Sequence, residues 1–260
     1  MAKSPSVTTE FRTSGTGEIA TVTFDNSARA NCLTSELVAE IGAAFQALKD
    51  RDTLRVAVLA SAGDRAFCGG ANVAELGEFD PDGVRTYITG LHNTIQAIRD
   101  LPVPVIAHIQ GVCIGAGLEM VAGCEIRIAA DHAQFSMPEV VLDIPSVIEA
   151  ALLPRLIGWG RTSWMLYRGD AIDAKTAESW GLVEKIVPSN DLDAAVAECA
   201  ETLAANGPTG MRLQKTLMQD WERLPLDQAI EAGIDSLTAA YEKGSPNEYI
   251  RAAVAKRKGN

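Results

Sequence analysis

Short runs of β-branched and aliphatic residues alternate with helical periodicities through the first two-thirds of the chain, and the last third is helical throughout. Ile19 to Phe24, Arg55 to Ser61 and Val103 to Gln110 read as strands, with helices between them from about Thr34 to Asp50 and from about Asp82 to Asp100. In the second helix Val84, Ile88, Leu91, Ile95 and Ile98 recur at three- and four-residue steps, and Pro102 with Pro104 stops it. That stripe is expected to face a core. Shorter runs follow at Glu125 to Ala129 and Gln134 to Phe135, then a helical stretch from Val147 to Ile157 and a strand at Leu182 to Val187. From Asp191 onward, breaks at Asn206-Gly207-Pro208, Leu224-Pro225 and Gly244-Ser245-Pro246 divide the tail into about four helices. The pattern is α/β, with a core expected over residues 1–189 and a helical region over 190–260.

Length and composition narrow what such a fold does. With 260 residues, 47% apolar and 22% charged, the chain can bury one large core. A formal charge of −11 argues against nonspecific binding to nucleic acid or anionic membranes, so an anionic substrate needs a locally basic pocket. Cys32, Cys68, Cys113, Cys124 and Cys199 are scattered, and only His92, His108 and His132 offer ring nitrogens, so no zinc pattern is present and no metal is expected. Free thiols and a polar N-terminus without a signal or transit character point to the cytoplasm. Val105 to Cys124 is the longest apolar stretch, and His108, Gln110 and Glu119 interrupt it; no membrane span is expected.

Two turns of small residues carry the candidate chemistry. Ala66-Phe67-Cys68-Gly69-Gly70-Ala71-Asn72-Val73 and Gly111-Val112-Cys113-Ile114-Gly115-Ala116-Gly117-Leu118-Glu119 each look like a strand turning into a helix. Such a turn leaves the first helical N–H groups unbonded and aims the positive end of the helix dipole outward, which suits an anion or a developing oxyanion. Taken singly, either can equally be a tight turn that needs glycine for geometry alone. Neither is a dinucleotide fingerprint, since Leu118, Glu119 and Met120 follow Gly117 where a third glycine belongs, and no P-loop lysine is present. Glu119 and Glu139 both sit in apolar surroundings, where a carboxylate is either a structural partner or an acid/base whose proton affinity desolvation has raised.

Ala66 to Leu76 resembles the crotonase signature that in enoyl-CoA hydratases runs roughly A-F-x-A-G-A-D-I-K-E-M. Gly111 to Met120 resembles G-x-x-x-G-G-G-x-E-L, and Phe135-Ser136-Met137-Pro138-Glu139 resembles F-x-x-P-E at the expected spacing. Arg168-Gly169-Asp170 with Ala174 to Glu184 is similar to T-G-D followed by A-x-x-W-G-L-V, so the likeness runs in order across roughly residues 15–260. The resemblance implies a spiral of ββα units followed by a C-terminal helical region that builds trimers or hexamers. It implies an acyl-CoA substrate and no cofactor beyond the coenzyme A of that substrate. Carried over by position, the backbone N–H groups of Ala71 and Ala116 match the oxyanion hole, and Glu119 and Glu139 match the two catalytic glutamates of hydratases. Arg29, Ala30, Ala71, Asn72, Val73, Ala74, Ala116 and Lys256 match CoA-binding positions.

Retaining both glutamates favours hydration of a 2-enoyl-CoA. The alternatives are another enolate reaction on a CoA ester (double-bond isomerisation, decarboxylation, C–C or C–S cleavage), or a non-catalytic, RNA-binding member of the fold, against which the charge and the paired glutamates both argue. Two departures stand out. Asn72 and Ala74 replace the usual Asp and Lys, so a phosphate contact expected at position 74 is missing. Leu142 to Glu149 is one residue shorter than its counterpart and lacks the glycines, which changes the acyl end of the pocket. Glu149 is a third candidate acid, expected to be exposed at a helix start.

Overall fold

The computed structural model describes residues 4–244 and 246–258, and the side chains of residues 253 and 256–258 lie outside the description. Among the described residues ten strands form two sheets. β1 (Ser6–Ser14) and β2 (Gly17–Asp25) make an antiparallel hairpin, and β2 continues in parallel into β3 (Leu54–Ser61). Between β2 and β3, α1 (Ser35–Leu48) starts where the Thr34 side chain accepts the Leu37 N–H at 3.1 Å. After β3 come β4 (Ala66–Cys68), the short α2 (Val73–Leu76) and α3 (Pro81–Arg99), whose first turn is capped by Asp80. The next units are β5 (Val105–Ile109), β6 (Val112–Ile114) and α4 (Ala116–Ala122), then β7 (Ile126–Ala130) and β8 (Gln134–Ser136).

Each of these turns sends one longer strand to a six-stranded sheet, ordered β1-β2-β3-β5-β7-β10, and one shorter strand to a four-stranded sheet, ordered β4-β6-β8-β9. That is the expected spiral of ββα units. 3-10 turns at Glu139–Leu142 and Ile148–Leu152 lead into α5 (Leu153–Ile157) and α6 (Trp159–Arg168). β9 (Ile172–Asp173), α7 (Ala174–Trp180) and β10 (Lys185–Val187) complete the sheets. The helices α8 (Leu192–Ala204), α9 (Pro208–Arg223), α10 (Leu226–Glu242) and α11 (Pro246–Lys258) follow, four as the breaks predict.

The main core fills the space between the sheets and α1, α3 and α4, around Phe24, Phe45, Phe67, Leu91, Ile95 and Phe135. A second cluster lies on the other face of the large sheet, where α8 sets Leu192, Ala195, Val196 and Ala200 against Val56, Val58 and Ile106. Three expectations change. β1 has no predicted counterpart, because as an edge strand it has no buried residue and its sequence is mixed rather than apolar. The stretch from Val147 to Ile157 is a 3-10 turn that passes into α5 with Pro154 in its first turn, and the strand at 182–187 shrinks to β10. The stripe of α3 divides: Leu91, Ile95 and Ile98 are core, whereas Val84 is exposed and lines a cavity with Ile88.

Candidate active site

A cavity of about 570 Å³ opens where α2, α3, α4 and the turns after β8 meet. Its lining includes Gly70, Ala71 and Val73 from the first small-residue turn, Gly115, Ala116 and Glu119 from the second, and Glu139. The rest is largely apolar, with Val84 and Ile88 from α3 and Leu142, Ile144 and Val147 from the loop after Glu139. Size and lining suit an organic ligand.

The two turns reach the cavity by different local devices. Leu33 bridges Ala71 in parallel, donating its N–H to the Gly70 carbonyl at 2.8 Å and accepting the Asn72 N–H at 2.9 Å. These bonds occupy the neighbours of Ala71 and leave the Ala71 N–H on the side away from Leu33. Gly70 has φ +90°, and the Gly69 N–H is tied to the Ala30 carbonyl at 2.8 Å, which fixes the turn. In the second turn Gly115 has φ +51° and ψ −119°, and its N–H donates to Ser136 at 2.9 Å. The conformation favours glycine, and a Cβ there would push the Glu139 carboxylate out of its place. Ala116 is the first residue of α4, where an N–H has no partner within the helix. Two main-chain N–H groups therefore border one apolar cavity, with α4 adding its dipole.

Glu119 projects from the first turn of α4 and is only 4% exposed. Burial, then the neighbouring charge of Glu139 and that of Glu149, push its carboxyl up to about 8, against the backbone N–H groups of Ala150 and Val147 that favour the anion. Glu139 is half-buried at the start of its 3-10 turn and accepts a hydrogen bond from the Ser146 hydroxyl at 2.8 Å. One buried acid thus keeps its proton at neutral pH beside a second carboxyl group that accepts the Ser146 hydrogen bond.

The folded chain holds the Glu119 proton up to about pH 8, while the unfolded chain releases it near 4.5, so raising the pH across that interval removes stability from the folded state. Glu119→Gln keeps the shape of the neutral acid and abolishes this loss. The variant should melt higher than the wild type at pH 9, and the gap should close toward pH 5; thermal melts at both pH values check this, and a pH-independent gap would contradict it.

Of the other residues singled out in the sequence, Val73 lines the cavity, while Asn72 caps α2 by accepting the Ala74 N–H at 3.1 Å. Ala74 is exposed, as is Arg29, which lies in a 3-10 turn just before Ala30 in its left-handed conformation (φ 53°). The side chain of Lys256 lies outside the described residues. Glu149 is a correction. It is buried, 5% exposed, because its carboxylate is drawn inward to the side chains of His92 (2.8 Å) and Gln96 (2.9 Å) on α3. The contribution of α3 to the cavity wall went unread in the sequence; the signal was that Val84 and Ile88 lie near its start, just after the first turn. Among the described residues no three or more His, Cys, Asp or Glu are grouped to hold a metal ion, and no helix is long and apolar enough to cross a membrane.

Residues 14–260 match the family model described as enoyl-CoA hydratase/isomerase. A mevalonyl-coenzyme A hydratase of Aspergillus fumigatus is 32% identical over 94% of this chain and 91% of its own length. The crotonyl-CoA hydratase of Syntrophomonas wolfei is 30% identical over 88% of this chain and 89% of its own. The crystal structure of an enoyl-CoA hydratase from Bacillus anthracis superposes with a TM-score of 0.91 at 29% identity, covering 96% of both chains. The spiral, the converging turns and these likenesses agree: the chain belongs to the enoyl-CoA hydratase/isomerase family, the crotonases.

Proposed function

We propose that the protein is a 2-enoyl-CoA hydratase, and the observation that carries this reading is the placement of Glu119 and Glu139 in one cavity with the N–H groups of Ala71 and Ala116. Donors aimed at the thioester oxygen draw charge from the conjugated system, which makes Cβ electrophilic and stabilises the enolate formed by attack. One carboxylate takes a proton from water as the water oxygen bonds to Cβ, and the other group, as a carboxylic acid, delivers a proton to Cα. Glu119, pushed up to about 8, holds a proton to give, and Glu139, on the same cavity, already accepts the Ser146 hydroxyl, so both groups are in place before substrate arrives. The net proton count on the pair is unchanged after turnover. Relatives that carry hydratase names support the same reading, including methylglutaconyl-CoA hydratase of Homo sapiens, 31% identical over 71% of this chain. Incubating the protein with enoyl-CoA thioesters of graded length and identifying products by mass spectrometry tests it. Gain of one water is expected, and a shifted double bond or lost carbon dioxide would replace hydration by another reaction of the family.

Arg29, Ala30 and Lys256 belong to the same proposal as contacts to the CoA moiety, by their match to family positions. Assembly as a trimer or hexamer does too, supported by the exposed stripe of Leu226, Ile230, Ile234 and Leu237 along α10. Light scattering should give three or six chains at micromolar concentration; a stable monomer with full affinity for CoA esters would contradict this.

A further inference from the structure

Glu149 is a buried carboxylate that the mechanism above does not use. It sits in the 3-10 turn Ile148–Leu152, next to Ile148, a β-branched residue at φ 39°. That conformation is costly for isoleucine and persists only where the surroundings hold it. The holding contacts are specific. One carboxylate oxygen meets both the Nδ1 of His92 at 2.8 Å and the amide of Gln96, which donates at 2.9 Å, and both residues lie on α3, the helix that walls the cavity. The other oxygen is buried and has no hydrogen-bond partner among the described residues. A carboxylate buried with half its acceptor capacity unused is expensive. The same turn supplies the N–H groups of Val147 and Ala150 that act on the Glu119 carboxylate, and the charge of Glu149 is felt there too.

We propose that Glu149, anchored by His92 and Gln96, is a positioning residue for Glu119: it clamps the 147–150 turn to α3, so that the Val147 and Ala150 N–H groups stay on the Glu119 carboxyl, and it sets a second carboxylate behind the catalytic one. This rests on the hydratase reading only for its consequence in turnover. The titratable groups that face Glu119 or Glu149 are Glu139 on the turn after β8 and His92 on α3, and Arg85 of α3 lines the same cavity. Arg155 on α5 is exposed and leans toward Glu222 at 4.0 Å, and Arg99 on α3 bonds Glu222 at 2.6 Å, so both basic groups near these helices are engaged elsewhere. Removing the charge of Glu149 must therefore make Glu119 release its proton more readily.

The test is Glu149→Gln, which keeps size and a hydrogen-bond acceptor, with Glu149→Met as a second neutral variant and Glu149→Asp as the charge-retaining one. The titration of Glu119 is followed directly by NMR of side-chain carboxyl carbons in the unliganded protein, its signal assigned by loss in Glu119→Gln. In Glu149→Gln, which keeps the clamp, the midpoint should fall from about 8 by about half a unit to one unit, the size of one partly screened charge nearby; the aspartate should restore most of it, and Glu149→Met, which loses the clamp and its N–H donors too, should lie above Glu149→Gln. The basic limb of kcat/KM for enoyl-CoA hydration should move down by the same amount. An unmoved Glu119 midpoint in folded Glu149→Gln overturns the inference, whatever happens to turnover, since a merely structural role would lower stability and leave the titration in place. A shifted midpoint in a protein that hydrates no enoyl-CoA would uphold the role of Glu149 and reject the hydratase reading instead.

Discussion

Changing Glu119 or Glu139 to glutamine is expected to cut hydration by at least about a hundredfold in each case, the usual size of a general acid or base contribution. Glutamine keeps the volume of each acid and removes its ability to take up or give a proton, so folding and CoA-ester binding should survive, as circular dichroism and ligand titration can show. The two losses should not multiply. Both side chains serve one transition state, and with either of them gone the other has no partner with which to complete the addition, so the double variant should be far less impaired than the product of the singles. A Glu139→Gln enzyme near wild-type turnover beside a dead Glu119→Gln enzyme would leave a single acid at work, and would favour double-bond isomerisation over hydration.

Ala116→Pro should lower kcat by about 10²–10³, the loss measured when an oxyanion donor is removed elsewhere. Its position makes the variant informative. Ala116 is the first residue of α4, the one helical site where proline fits and where the missing N–H breaks no helical bond. The preceding Gly115, at φ +51° and ψ −119°, lies in the mirror image of the extended region that residues before proline prefer, which only glycine enters freely. The proline variant is thus expected to fold. Ala116→Gly keeps the N–H and should be mild. A folded Ala116→Pro enzyme with unchanged kcat would remove Ala116 from the oxyanion hole, leaving Ala71 alone there.

Much of this arrangement was legible in the chain because backbone demands leave marks in the sequence. A turn that must present bare N–H groups close to a ligand shows as glycine and alanine after a strand, and Gly69, Gly70 and Gly115 fall where the structure makes those turns. A carboxylate in an apolar run stands out as Glu119 does. The strands and helices with a buried, periodic face, such as β3, α1 and α3, were predicted within a residue or two. What escaped were features set by tertiary neighbours. β1 is stabilised by pairing with β2 rather than by an apolar face of its own. Glu149 looked like an exposed helix start, and only the packing of its turn against α3 brings it to His92 and Gln96, more than 50 residues away in sequence. Val84 and Ile88 share the periodicity of the core residues Leu91 and Ile95, and periodicity alone does not distinguish a core from a cavity wall.

The central claim is that the pair of glutamates adds one water across a double bond conjugated to a thioester whose oxygen is held by the two N–H groups. Running the reaction on crotonyl-CoA in doubly labelled water, with oxygen-18 and deuterium, and reading the product by mass spectrometry and NMR tests this most directly. The account predicts 3-hydroxybutyryl-CoA with oxygen-18 on C3 and one deuterium on C2. Deuterium exchange or double-bond migration without oxygen-18 in the product would contradict it.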